Sequence, residues 1–248
     1  MIVLFTDFGS ADPYVGQVKA VLHRAAPRAT VVDALNDVAA FGIEPAAHLL
    51  AALAPHYGQS CVFLAVIDPG VGGSREAIVV EADGRRFVGP DNGLLSVVWQ
   101  RARRRGCRRI VWRPAVLSSS FHGRDLFAPV AASLARGRPP ARWFAAMRAP
   151  RVLLDPADLA RVIYVDHYGN AMTGLRATGI APGARLRAGG RTLSRAGTFS
   201  EIRRGEAFWY ANSFGLAEIA ANQESAARKL GLRVGSPVAV VRRNAAAR

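Results

Sequence analysis

Short apolar runs and amphipathic segments alternate through the first half of the chain, and no other feature limits its fold as tightly. "IVLF" (2–5), "TVVDA" (30–34) and "CVFLAVI" (61–67) read as strands. "YVGQVKAVLHRAA" (14–26) and "IEPAAHLLAALA" (43–54) fall between them with apolar residues at helical spacing. "AIVVE" (77–81) and "RFVG" (86–89) read as a hairpin pair, followed by a helix over 93–104, a strand over 109–112 and a helix over 125–137 closed by Gly137. Strands that are apolar at every position are buried on both faces. Alternation with helices therefore predicts an α/β domain with a mainly parallel sheet flanked by helices.

The texture changes near residue 140. "RGRPPARWFAAMRAPRVLLDP" (136–156) is rich in Pro and Arg and has no clean period. Beyond it, "RVIYVDH" (161–167), "ARLRAG" (184–189), "EAFWYAN" (206–212) and "PVAVVRR" (237–243) are short strands separated by Gly and Asn turns, and "ESAARKLG" (224–231) fits one short helix. The expected organisation is an N-terminal α/β domain over 1–140, a linker over 141–158 and a smaller C-terminal antiparallel β domain over 159–248.

The net charge of +15 raises nucleic acid as a partner. The basic residues are nearly all arginine: Lys19 and Lys229 are the two lysines among 33, leaving 31 Arg. With alanine also abundant, that composition points to a GC-rich coding bias more than to phosphate contacts. The dense run "RARRRGCRR" (101–109) is expected at a helix end, where positive charge complements the helix dipole. No aromatic–arginine interleaving marks a stacking platform, so nucleic acid is not the expected partner. No apolar run reaches 18 residues, so no membrane span is expected. Cys61 and Cys107 form no CxxC and no disulfide framework; they read as reduced thiols in a cytoplasmic protein.

Ligands of parallel α/β sheets gather beyond the carboxyl ends of the strands. Four polar, Gly-rich loops follow strands or precede a helix here: "TDFGSADPYVG" (6–16), "DPGVGGSR" (68–75), "GPDNGLL" (89–95) and "SSSFHGRD" (118–125). Each alone has an ordinary explanation. Asp7 or Asp125 fits a helix cap, Asp91-Asn92-Gly93 fits a turn with a cap, and Asp68 can open a Pro-Gly turn. Four such loops on one edge are the pattern of an active site. The glycines do not form a P-loop or a dinucleotide fingerprint, no G-x-S-x-G elbow occurs, and the five histidines lack metal-ligand spacing. No metal site is expected.

Taken together and in order, these loops with "VDHYGN" (165–170) and "NSFGLAEIAAN" (212–222) resemble the S-adenosyl-L-methionine hydroxide adenosyltransferases, relatives of the fluorinase and chlorinase enzymes. The resemblance spans about residues 2–241. It implies an N-terminal α/β domain, a C-terminal β domain, and a homotrimer with S-adenosylmethionine bound between neighbouring subunits. It implies hydrolysis of that substrate to adenosine and methionine, without a cofactor.

By the same resemblance the catalytic set is Asp68, Arg75 and His122. Asp7 would hold the ribose hydroxyls, Asp166 the methionine ammonium and Ser213 its carboxylate. Tyr168 would stack on adenine and Asn170 read its edge, and Asn92 joins the binding set. A sulfonium leaves readily, so the demand falls on the nucleophile at C5′: an Asp or His can take a proton from water, and a cationic Arg favours hydroxide. Which of Asp68 and His122 is the base stays open. Asn36, Gly42, Gly174 and Ala20 depart from the family pattern. The alternatives are a halide-using adenosyltransferase and a basic nucleic-acid or adenosyl-binding protein without turnover.

Overall fold

The computed structural model describes residues 1–137 and 139–241. The expected C-terminal domain (159–248) and its last strand (237–243) run past residue 241, and their residues from 242 on lie outside the described residues. The chain divides into two compact units, Met1–Pro156 and Ala157–Arg248.

The first unit is built on a seven-stranded sheet of order β2-β1-β3-β5-β4-β6-β7. Its strands are β1 (Ile2–Thr6), β2 (Val31–Leu35), β3 (Val62–Val66), β4 (Ala77–Ala82), β5 (Arg85–Pro90), β6 (Arg105–Ile110) and β7 (Phe144–Met147). Pairing is parallel across β2-β1-β3-β5 and antiparallel from β5 through β7. Helices α1 (Pro13–Ala25), α2 (Ile43–Leu53), α3 (Ser96–Arg101) and α4 (Ala128–Ala135) accompany the sheet.

Side chains alternate across a strand, so β1 and β3 feed two faces. Ile2, Leu4, Val62 and Leu64 join a core with Val18 and Leu22 of α1 and Val130 and Leu134 of α4. Val3, Phe5 and Phe63 occupy the alternate positions, all fully buried, and Phe63 stacks on Phe87 of β5 at 4.8 Å. The apolar runs are continuous because both faces are covered.

The structure departs from the sequence expectation in two places. The basic run does not end a long helix: α3 stops at Arg101, and residues 105–110 form β6. Strand pairing to β4 buries Cys107 and Ile110 and leaves the arginines partly exposed; Arg105 lies over the Trp99 ring at 4.2 Å, and Arg108 pairs with Glu81 at 2.6 Å. The stretch read as a linker carries β7, which pairs with β6, and Asp91 holds the chain after it by accepting from the Arg151 and Val152 amides at 2.9 and 3.4 Å.

The second unit has a four-stranded sheet, β12-β13-β9-β8, and a three-stranded one, β11-β10-β14. The strands are β8 (Leu159–Val165), β9 (Ala171–Arg176), β10 (Arg185–Ala188), β11 (Arg191–Leu193), β12 (Ala207–Ala211), β13 (Leu216–Ala221) and β14 (Ala239–Val241), with one short helix, α5 (Ala226–Leu230). All strand pairs are antiparallel. Bridges Arg161–Pro237 and Arg195–Trp209 join the two sheets at both edges, so the seven strands run in a closed cycle around Val162, Leu186, Trp209 and Ile219. Closure leaves few free strand edges. Gly174 fits this packing: a Cβ there would lie 2.6 Å from Leu159 Cβ and 2.7 Å from its carbonyl oxygen.

Candidate active site

The carboxyl ends of β1 and β3 open into a cavity of about 690 Å³ in the first unit. Asp7, Asp68 and His122 all line it. Asp68 follows β3 directly. Arg75 returns on the same loop and grips the Asp68 carboxylate: Nε donates to Oδ1 and Oδ2 at 3.1 and 3.0 Å, and Nη2 donates to Oδ2. The Asp68 side chain is 5% exposed and that of Arg75 12%, so the pair is largely withdrawn from water. The Arg75 guanidinium also lies over the Phe127 ring at 5.3 Å.

The same Nη2 reaches Nδ1 of His122 at 3.0 Å. A guanidinium has no acceptor, so Nδ1 accepts and the proton of the neutral ring sits on Nε2. Burial holds the His122 pKa below the ordinary imidazole value, and the Arg75 charge adds to the effect. His122 stands at the entrance to a π-helical turn, Gly123–Phe127, that runs into α4. Such turns are frequent at functional sites. Asp125 anchors the approach by accepting from the Ser118 amide at 2.9 Å while paired with Arg124.

Close approach of two loops brings the three side chains together. Gly72 has φ +79°, and a Cβ there would lie 2.4 Å from the Ser119 carbonyl oxygen. Only glycine lets the 68–75 loop turn against the 118–125 loop at that distance.

Asp7 borders the cavity with its pKa raised by burial, although the Phe41 amide donates to Oδ2 at 3.4 Å. Asn92 does not line the cavity. Its Nδ2 donates to the Ile67 carbonyl at 2.8 Å and its Oδ1 accepts from the Leu94 amide at 3.2 Å, so it braces the end of β3 beside Asp68. Asn36 is buried, accepts from the Thr6 hydroxyl at 2.9 Å and donates to Asp33 at 3.0 Å, which fixes the loop after β2 to the end of β1.

Several lining residues were not singled out by sequence. Phe8, Tyr14 and Phe121 form an aromatic cluster, with Phe121 centred 5.7 Å from Phe8 and 5.5 Å from Tyr14. Phe41 lines the same cavity, is 73% exposed and has φ +63°, a strained conformation for a bulky residue. An exposed aromatic on a loop following a parallel strand was the available signal.

In the second unit, Asp166, Tyr168 and Asn170 line a separate cavity of about 650 Å³ with Phe199, Tyr210 and Arg228. Asn170 donates to Asp166 through its backbone amide at 2.8 Å and its side chain at 2.9 Å. Tyr168 is 76% exposed, presenting its ring to solvent. Ser213 is exposed on the turn between β12 and β13 and does not line this cavity. Among the described residues, no group of three or more His, Cys, Asp or Glu side chains is placed to hold a metal ion.

The family description "SAM hydroxide adenosyltransferase N-terminal domain" matches residues 2–143, and the corresponding C-terminal domain matches 160–239. The chain belongs to the SAM hydroxide adenosyltransferase family. The chain is 38% identical over 256 residues to a Thermus thermophilus protein named (R)-S-adenosyl-L-methionine hydrolase, covering 96% of this chain and 98% of that one. A crystal structure of an uncharacterized conserved protein from Thermotoga maritima superposes with a TM-score of 0.88 at 33% identity, covering 98% of this chain and all of the other. A fluorinase from Actinopolyspora mzabensis is 24% identical, covering 98% of this chain and 97% of that one.

Proposed function

We propose that this chain hydrolyses S-adenosyl-L-methionine to adenosine and L-methionine, by attack of water at C5′. One observation carries the reading: Asp68, Arg75 and His122 meet at the edge of a single cavity, joined through one guanidinium. The relative named (R)-S-adenosyl-L-methionine hydrolase agrees with it and adds a stereodescriptor at sulfur.

The hydrogen bonds support the following roles. Nδ1 of His122 is occupied by Arg75, so the ring offers an N–H at Nε2 and no free lone pair. Of Asp68 and His122, the proton acceptor facing the cavity is therefore the Asp68 carboxylate. Resting water, with a pKa of about 15.7, is too weak an acid for a carboxylate to ionise. As the C5′–O bond forms and the C5′–S bond breaks, the attacking water becomes an oxonium and a strong acid. Asp68 takes its proton then, as a general base. His122 fixes the water oxygen, and Arg75 orients both partners, so the nucleophile is held in line. The electron pair of the broken bond leaves on the methionine thioether, which needs no acid.

Asp7, on the wall of the same cavity, accepts from the ribose hydroxyls in this reading. Asp166, Tyr168, Asn170 and Ser213 serve the methionine and adenine ends. No metal or organic cofactor takes part, and the cytoplasmic setting expected from reduced cysteines belongs to the same reading. So does the homotrimer, with binding residues drawn from neighbouring subunits; the exposed rings of Phe41 and Tyr168 are in keeping with it. Light scattering on the purified protein should give three times the chain mass.

The test is incubation with each sulfonium epimer in buffer free of added metal and halide. Equal amounts of adenosine and methionine, formed faster from the R epimer, are expected. A product that appears only with chloride or fluoride would assign the chain to halide transfer instead.

A further inference from the structure

Glu218 is a carboxylate with no part in the chemistry above. It lies on β13, is 2% exposed, and both of its oxygens are engaged. The Tyr210 hydroxyl donates to Oε1 at 2.5 Å, and Asn212 Nδ2 donates to Oε2 at 2.8 Å. Burying a carboxylate is costly unless it is hydrogen-bonded, so this arrangement calls for an explanation.

The barrel core does not require it. In register across the sheet, Trp209, Ile219, Ala171 and Val165 are partners, and they belong to the core. Glu218 pairs with Tyr210 on one side and Met172 on the other, and Met172 with Tyr164. Side chains alternate, so this second set faces away from the core. Asp166 and Asn170 are even-numbered continuations of the same face at the turn between β8 and β9. Tyr210 lines the second-unit cavity beside them, and the Asp166 charge acts on both Tyr210 and Glu218.

Glu218 also controls a turn. With its Nδ2 held by Glu218, Asn212 can present only Oδ1 to the backbone, where it accepts from the Phe214 and Leu216 amides at 3.0 and 2.9 Å. That set of bonds defines the turn 212–215, which carries Ser213. A reversed amide would place an N–H against two N–H groups.

We infer that Glu218 is a positioning residue for the methionine end of the substrate, holding the cavity wall through Tyr210 and the Ser213 turn through Asn212. The inference rests on the reading that Asp166 and Ser213 receive the methionine end. Glu218 touches no substrate in this role; its carboxylate fixes two donors, Tyr210 and Asn212, which set the cavity wall and the Ser213 turn. An amide in its place keeps the shape but offers one acceptor oxygen for two donors.

The experiment compares two substrates, S-adenosylmethionine and 5′-dimethylsulfonio-5′-deoxyadenosine, which keeps the sulfonium and loses the amino acid. Glu218→Gln should raise KM for S-adenosylmethionine about tenfold, with kcat within about threefold, and leave kcat/KM for the truncated sulfonium within about twofold. Tyr210→Phe removes one donor and should shift the same ratio by about threefold; it decides the matter if Glu218→Gln does not fold. Equal losses on both substrates, or no loss on S-adenosylmethionine, would overturn the role. Asp166→Asn tests the underlying reading separately. If it leaves the ratio unchanged while Glu218→Gln lowers it, the Asp166 assignment fails and the positioning role of Glu218 stands.

Discussion

Replacing Gly72 by alanine should separate the two halves of the proposed catalytic set. A Cβ at this position would sit 2.4 Å from the Ser119 carbonyl oxygen, against about 3.4 Å for ordinary contact. The loops must part by the difference, about 1 Å, because the obstacle is backbone and has no rotamer to yield. One loop carries Asp68 and Arg75 and the other carries His122. The Arg75–His122 contact of 3.0 Å would stretch to about 4 Å and leave hydrogen-bond range. A misplacement of that size costs on the order of 10²-fold in turnover. The φ of +79° adds strain of about 1–3 kcal/mol for a non-glycine residue. At roughly 2–4 °C per kcal/mol for a chain of this size, melting should fall by several degrees. Gly70→Ala is the matched control, since no atom lies within 4 Å of its Cβ and its φ is not in the left-handed region. It should keep kcat within about twofold. The assay is adenosine formation beside a thermal melt for each variant. Wild-type kcat in Gly72→Ala, or equal losses in both, would refute the reasoning.

Three further outcomes follow from the site and the fold. Asp68→Asn and His122→Ala should each lower kcat by about 10²-fold or more while binding S-adenosylmethionine within a few-fold, as read by titration calorimetry. Burial and Arg75 favour neutral His122, so its proton is taken up only below the ordinary value of about 6.5. Activity should therefore be flat through neutral pH and fall on acidification below 6.5, with that limb missing in the residual activity of His122→Ala; a limb centred above 6.5 would contradict the assignment. Asp91→Ala orphans the Arg151 and Val152 amides and should cost about 1–3 kcal/mol in chemical denaturation, with kcat within about twofold.

The parts legible in sequence are those where local pattern and tertiary environment agree. β1 and β3 are apolar at nearly every position because both faces of the sheet are covered, and the β4–β5 hairpin carries apolar stretches at Ala77–Val80 and Phe87–Val88. β9, β11 and β13 were not legible. "LAEIAA" is made of good helix formers, "AMTGLR" contains a glycine, and β11 has three residues; pairing with neighbours, not intrinsic preference, makes them strands. β6 was legible only at its end: the strand expected over 109–112 overlaps it at Arg109 and Ile110, and the arginines before that point, two of which lie over aromatic rings, disguise the rest.

The loops of the candidate site were legible because Gly-rich polar stretches directly after apolar strands have few structural reasons to recur. Sequence alone offered no ground for choosing between Asp68 and His122 as the proposed base; the Nδ1 contact with Arg75 supplies the argument for Asp68. Nor could sequence show that Asn92 spends its amide on the Ile67 carbonyl and Leu94 amide, or that Phe41 stands at the cavity mouth. Those facts depend on which loops meet, and loop meeting is set by the sheet order.

The most direct test of water attack at C5′ is turnover of S-adenosylmethionine in H₂¹⁸O, with mass analysis of both products. Adenosine labelled at its 5′ oxygen, with unlabelled methionine in equal amount, is the expected result. Adenosine without the label, or consumption of substrate without adenosine, would contradict the proposed reaction.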